Sequence, residues 1–333
     1  MEEVSRRSDK GSAGVTSSML GMVVTAILDV AIGRIMCCHA SRQRPGARRA
    51  HPLMFFELRA RVRSRPVLLS SPHSGRLYPD RLLRAIRVDL DQLRPLDDGP
   101  VDMLLEPALE HAAGLLVPLL PRAWIDLNRA PDELDPAEVA GRFPTAGQRS
   151  VKVKAGLGLV PTRVGGIAVY PGKLAADDVA DRLARAYWPF HAALDEELLA
   201  LRARHGVAVL LDCHSMPRAS VAHLGRPIDI VVGDRHGLAA SSGVTACAVR
   251  ELRGRGFAVA TNRPFAGGYI TEAYGRPTEG VHALQLEIRR DLFLDATDYR
   301  LHRGAGRLGR ALAAVVAAVG ETARRMVGSP VAA

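Results

Sequence analysis

Two short stretches of the chain end an apolar run in a histidine. "VLLDCHSMP" (209–217) carries His214, and "VLLSSPHSG" (67–75) carries His73. A buried strand does not tolerate unpartnered polar side chains, so each histidine is either a hydrogen-bonded turn residue or the holder of a ligand. Two further polar groups follow apolar runs: Asn128-Arg129 in "WIDLNRAP" and Glu287 in "ALQLEIRR". Glu287 lies inside its strand-like run, where a carboxylate without a partner is costly. It calls for a cation, a metal-bound water or a reactive role. An ion pair is the plain alternative, but in an alternating strand only Arg289 shares its face and Arg290 points away.

The elements that must position these residues begin at Val67. Val67–Ser71 reads as a short buried strand, and "YPDRLLRAIRV" as a helix starting after Pro79-Asp80. "VDMLLEPALEHAAG" reads as one helix ended by Gly114, with strand-like "LLVPLL" and "RAWIDL" behind it. Residues 140–166 hold glycines, prolines and little periodicity, which predicts a long surface excursion able to cover a site. Val179, Leu183, Phe190, Leu194, Leu198 and Leu201 form one apolar stripe on a helix over 176–204, kinked at Pro189. Strands at 207–211, "IDIVV", "FAVAT" and "VHALQLEI" then alternate with helices near 239–253 and at the carboxyl end. This alternation predicts an α/β fold: a mainly parallel mixed sheet with helices on both faces. Such sheets place their sites at the carboxyl ends of strands, where both histidines fall.

Charge excludes one class of function. Of 45 Lys and Arg, 12 lie in residues 1–65 against 5 Asp and Glu; the remaining 268 residues hold 33 against 30. The folded body is nearly balanced, and only four cations are Lys, so no nucleic-acid surface is expected. Cys37, Cys38, Cys213 and Cys247 have neither zinc-knuckle nor disulfide spacing, which fits a reducing cytoplasm. Residues 1–52 read as a disordered leader or as an extension upstream of a true start at Met54. Asp29 and Arg34 break the apolar leader before the length of a membrane span, and "MEEVS" is too acidic to open a signal peptide. Residues 53–330 read as a single α/β domain.

In order along the chain, "SPHSG", "DLNRAP", "DCHSMP", "NRPFAGGYI" and "LQLEIRRDLFLD" resemble the N-formylglutamate amidohydrolase family, a branch of the zinc carboxypeptidase and aspartoacylase superfamily. The resemblance covers roughly residues 67–295. It implies one Zn2+ held by His73 and His214, with an open position for catalysis. Carboxypeptidases place a third ligand, Glu, three residues after the first His. Here that residue is Arg76, which cannot ligate. The replacement is expected from "LDDGPVDMLLE": Asp98 first, with Asp102 and Glu106 as reserves, although Asp97-Asp98-Gly99-Pro100 also reads as a plain turn and helix cap. Glu287 is implied as the general base. Arg129 is implied as the bidentate partner of a substrate carboxylate, with Asn128 orienting the same group and Tyr269, after Gly267-Gly268, approaching the ligand. Asp126 and Asp212 are expected to accept from the far nitrogens of the two histidines.

The resemblance implies hydrolysis of N-formyl-L-glutamate, or a related N-acyl acidic amino acid, in histidine breakdown. The same fold acting on a short peptide or a cell-wall amide is one alternative. A non-catalytic binding protein is another, and it is the one that loss of Glu287 or of either histidine would favour.

Overall fold

The computed structural model describes residues 55–60, 64–144 and 150–328. The leader, the alternative start at Met54 and the membrane-anchor question lie outside the described residues. Among the described residues seven strands form one sheet: β1 (Phe56–Ala60), β2 (Val67–Ser70), β3 (Gly114–Pro118), β4 (Ala208–Met216), β5 (Ile230–Gly233), β6 (Val259–Thr261) and β7 (Val281–Arg289). Their order is β1-β3-β2-β4-β7-β5-β6. β3, β2, β4 and β7 run parallel; β1 and the β5-β6 pair run against them. β2, β4 and β7 are buried along almost their whole length, as a covered parallel sheet requires.

The two-residue period of a strand sorts these residues between two cores. Val67, Leu69, Val209, Leu211, Cys213, Leu284, Leu286 and Ile288 face one way. They pack on the helices Ser242–Gly254 and Gly304–Gly328. Leu68, Ala208, Leu210, Val281 and Ala283 face the other way. They pack on Phe190, Leu194, Leu198 and Leu201 of the helix Trp188–His205. Gly206 closes that helix in the left-handed region at φ 73°, a conformation glycine adopts at no steric cost.

Four expectations change in detail. The helix foreseen over 101–114 breaks into an α-turn, Val101–Leu104, and a 3-10 segment, Glu106–His111. Pro107 has no N–H for the Met103 carbonyl, and its ring crowds it. "RAWIDL" is no strand: its Trp124 and Asp126 amides bond to the Pro121 and Leu159 carbonyls, in a turn. The long helix spans Ala176–Arg182 and Trp188–His205, joined by a π-helical turn at Leu183–Tyr187. In the wider turn the Trp188 amide donates to the Leu183 carbonyl, just ahead of Pro189, which has no N–H to give. Within the excursion foreseen over 140–166, residues 150–160 are anchored, because Val153, Leu159 and Val160 are buried and Val151–Lys154 is a helical turn. No described helix is long and apolar enough to cross a membrane.

Candidate metal centre and active site

β2, β4 and β7 end together on one side of the sheet, and the Leu68/Leu210/Ala283 face changes character there. Along β4, Ala208 and Leu210 give way to Asp212 and His214; along β7, Val281 and Ala283 give way to Gln285 and Glu287. The register pairs Gln285 with Asp212 and Glu287 with His214, so four polar side chains share one face of two adjacent strands. His73 follows β2, and its carbonyl accepts from the Asp98 amide at 3.1 Å, which pins the Asp98 turn beside it.

His73, His214 and Asp98 converge, and all three are buried. His214 Nδ1 is 3.1 Å from His73 Nδ1 and 2.9 Å from Asp98 Oδ2, and His73 Nδ1 is 3.3 Å from the same oxygen. The far nitrogens are taken by other carboxylates: His73 Nε2 lies 2.7 Å from Asp126 Oδ1, and His214 Nε2 lies 2.8 Å from Asp212 Oδ2. Each aspartate accepts an Nε2–H, which leaves lone pairs on both Nδ1 atoms. Two ring nitrogens and one carboxylate oxygen then face one point, and with neutral rings all three are acceptors. Their separations approach the roughly 3.3 Å between neighbouring ligands in a tetrahedral site with metal–ligand bonds of about 2.0–2.2 Å. The donor set therefore fits a divalent cation.

The charges around the triad are balanced in pairs. Burial alone would raise the Asp98 carboxyl, but His214 and His73 outweigh it and hold it well below the usual range. Arg290 Nη2 adds a contact at 3.3 Å to Asp98 Oδ1 and donates at 2.6 Å to the Asp97 carbonyl; its Nε donates at 2.8 Å to Ser215 Oγ. Burial likewise opposes ionisation of Asp126, and Arg122, His73 and Arg129 overcome it. Arg122 Nε donates to Asp126 Oδ2 at 2.8 Å. Glu287 has no cation of its own: burial pushes its carboxyl up to about 7, with His214 pulling down and Asp98 adding to the rise. Gln285 Nε2 donates to Glu287 Oε1 at 2.9 Å, while its Oε1 accepts from the Gly268 amide at 2.6 Å.

The reserve ligands are elsewhere. Asp102 takes a two-pronged ion pair from Arg76 at 2.7 and 2.9 Å and a third contact from Arg59 at 3.0 Å; Glu106 pairs with Arg59. Arg76, the residue that cannot ligate, thus holds the next acid of the same segment. The ion-pair alternative for Glu287 also fails. Arg289 bonds to Asp291 and pairs with Asp229, and Arg290 turns to Asp98.

Asn128 and Arg129 sit beside the triad. Asn128 Nδ2 lies 3.1 Å from His214 Nε2, and its Oδ1 accepts from the Ile270 amide at 2.8 Å. Gly268 permits this contact, since a Cβ there would stand 2.4 Å from Asn128 Nδ2. Arg129 is held through Nε by the Leu157 carbonyl at 3.0 Å and through Nη1 by the Asn128 carbonyl at 2.9 Å; Asp126 Oδ2 is 3.7 Å away. Tyr269 begins the helix Tyr269–Tyr274 and sets its half-buried ring edge-on to His191, centroids 5.7 Å apart.

Sequence reasoning missed Arg122, Gln285, Ser215 and Arg290 as parts of the site. Gln285 was the one open to discovery, two residues before Glu287 and hence on the same face. Arg122, Ser215 and Arg290 reach the site through turns, which periodicity does not read.

A mixed α/β sheet flanked by helices carries a His-Asp-His donor triad and a carboxylate at neighbouring strand ends, and with the family match this makes the chain an amidohydrolase. The N-formylglutamate amidohydrolase model matches residues 65–294, and the chain belongs to that family. It is 32% identical to an N-formylglutamate deformylase of Pseudomonas aeruginosa over 243 residues, 69% of this chain and 82% of the relative. A Pseudomonas putida protein of the same name is 30% identical over 240 residues, 70% of this chain and 83% of that one. The crystal structure of N-formylglutamate amidohydrolase from Ralstonia eutropha JMP134 superposes with a TM-score of 0.76 at 34% identity, covering 81% of this chain and 99% of that one.

Proposed function

We propose that the chain hydrolyses N-formyl-L-glutamate to formate and L-glutamate with one zinc ion at His73, His214 and Asp98. The observation that carries the reading is the register of Glu287 with His214, which sets a carboxylate one strand away from the donor triad. The names of the two Pseudomonas relatives support the substrate. When bound, a divalent ion supplies Lewis acidity, lowering the pKa of a water and polarising the amide carbonyl.

The chain's own residues do the rest. Asp126 and Asp212 hold the two imidazoles with Nδ1 unprotonated. Glu287, near neutrality through burial, takes a proton from the attacking water and delivers it to the nitrogen as the C–N bond breaks. Arg129 pairs with a substrate carboxylate, Asn128 orients that group, and the Tyr269 ring walls the ligand. The cysteine usage supports a cytoplasmic enzyme, and the substrate supports a place in histidine breakdown.

The test is formate release from N-formyl-L-glutamate by the zinc-loaded protein, compared with N-formylglutamine and with the α-amide. An unpaired Arg129 costs about 2–4 kcal/mol, so the acid should be strongly preferred over at least one amide. Arg129→Lys should recover only part of what Arg129→Ala loses, because an ammonium keeps the charge but not the fork. Equal hydrolysis of the acid and both amides by the parent protein would remove the carboxylate clamp.

A further inference from the structure

We propose that Lys152 is the second carboxylate-binding cation of this site, gripping with Arg129 the two carboxylates of an acidic N-acyl amino acid; this rests on the reading that such a compound is the substrate. A dicarboxylate needs two cationic groups beyond the donor triad, and most nearby cations are already committed. Arg122 is bound to Asp126 and to the Leu96 carbonyl, and Arg290 to Asp98, the Asp97 carbonyl and Ser215. Lys152 is different. Among the described residues no ion pair or hydrogen bond holds its ammonium, and the residue is exposed.

The fold fixes where this lysine stands. The helical turn Val151–Lys154 is capped by Ser150, whose Oγ accepts from the Val153 amide at 3.1 Å and donates to Glu133 Oε1 at 2.6 Å. Val153 is buried beneath it. Leu157 then ties the turn to the site: its amide donates to the Lys152 carbonyl at 2.8 Å, and its own carbonyl receives Arg129 Nε at 3.0 Å. Two residues on, the Leu159 carbonyl accepts from the Asp126 amide at 2.7 Å. One short backbone thus links Lys152, Arg129 and the aspartate behind His73.

Electrostatics agree with that placement. Although the residue is exposed, partial covering of its ammonium lowers it, Arg129 and Arg122 lower it further, and Glu287 and Asp126 pull the other way. All four belong to the site. A cation that feels two other cations, and has no ion pair among the described residues, is relieved when a carboxylate arrives. Its type also suits a movable contact. The chain uses only 4 Lys among 45 cations, and an ammonium on a flexible stem can follow substrates of different length where a guanidinium fork cannot.

The experiment compares the zinc-loaded parent with Lys152→Met and Lys152→Arg on N-formyl-L-glutamate, N-formylglutamine and the α-amide. For Lys152→Met we expect KM for the diacid to rise roughly tenfold or more, with kcat within about threefold and with partial rescue in Lys152→Arg. For the one amide that lacks the Lys152-bound carboxylate, KM should not change. Equal KM increases on all three substrates, or none on the diacid, would overturn the proposal. Calorimetric titration with glutarate, a dicarboxylate with no bond to cleave, reads the same contact apart from turnover. Weaker glutarate binding in Lys152→Met with no parent turnover of formylglutamate would uphold the cation and reject the substrate. Undiminished glutarate binding would reject the cation.

Discussion

His73 and His214 turn the same ring nitrogen, Nδ1, toward one another at 3.1 Å, while each gives its Nε2 to a different buried aspartate. With each Nε2 against an aspartate, both Nδ1 atoms are left facing one point, and Asp98 brings a carboxylate oxygen to the same place. A divalent cation would fit this arrangement.

The purified protein should carry about one divalent metal per chain and lose activity on chelation. Elemental analysis of His73→Ala and His214→Ala should find the metal gone. Asp126→Asn should weaken affinity by about 10–100-fold, the usual scale when a ligand histidine loses its supporting carboxylate. Stoichiometric zinc in both histidine variants would mean that the ion binds elsewhere.

Glu287→Gln should keep both fold and metal yet lose at least about a hundredfold in kcat. Glutamine fills the same volume beside Gln285 and His214 but cannot accept a proton. Near-normal turnover in this variant would reduce Glu287 to a structural partner of Gln285.

His191 sets a pH limit on stability. It is buried, with Nε2 2.9 Å from the Leu127 carbonyl and Nδ1 2.9 Å from the Tyr274 hydroxyl. Burial lowers its pKa from 6.5 to about 4, against a smaller upward pull from the Leu127 carbonyl. Between those values the unfolded chain binds a proton that the native chain does not, so stability falls as pH drops from 6.5 toward 4. The loss amounts to roughly 3 kcal/mol at about 1.4 kcal/mol per pH unit. Urea denaturation of parent and His191→Gln at pH 7, 5.5 and 4 should show a shallower decline in the variant. Parallel declines would assign the slope to other groups.

A chain starting near residue 51 should fold and act like the full one. The family match opens at residue 65, and every residue assigned to the site lies after it. Circular dichroism and formate release on both chains check this; an insoluble or inactive short chain would show that the leader supports the body.

The sequence by itself marked six of the seven strands and the polar ends of three of them; β1, Phe56–Ala60, lies ahead of the first element it read. Alternation along "VLLDCHSMP" and "ALQLEIRR" put Asp212 with His214 and Gln285 with Glu287 on single faces, because a strand's period is fixed by backbone geometry. The family resemblance, with short chain distance, pointed to Asp98, Asp102 and Glu106 as candidates for the ligand missing at Arg76. Only tertiary structure decided between Asp98, Asp102 and Glu106, since that choice depends on which acid meets Arg76 and Arg59 and which meets the histidines. It likewise decided that Arg290 bonds to Asp98, and that Leu157 and Leu159 dock on Arg129 and Asp126. Those contacts join residues far apart in the chain through turns without periodicity. Local pattern carries no information about them, and packing and charge pairing in the folded state fix them.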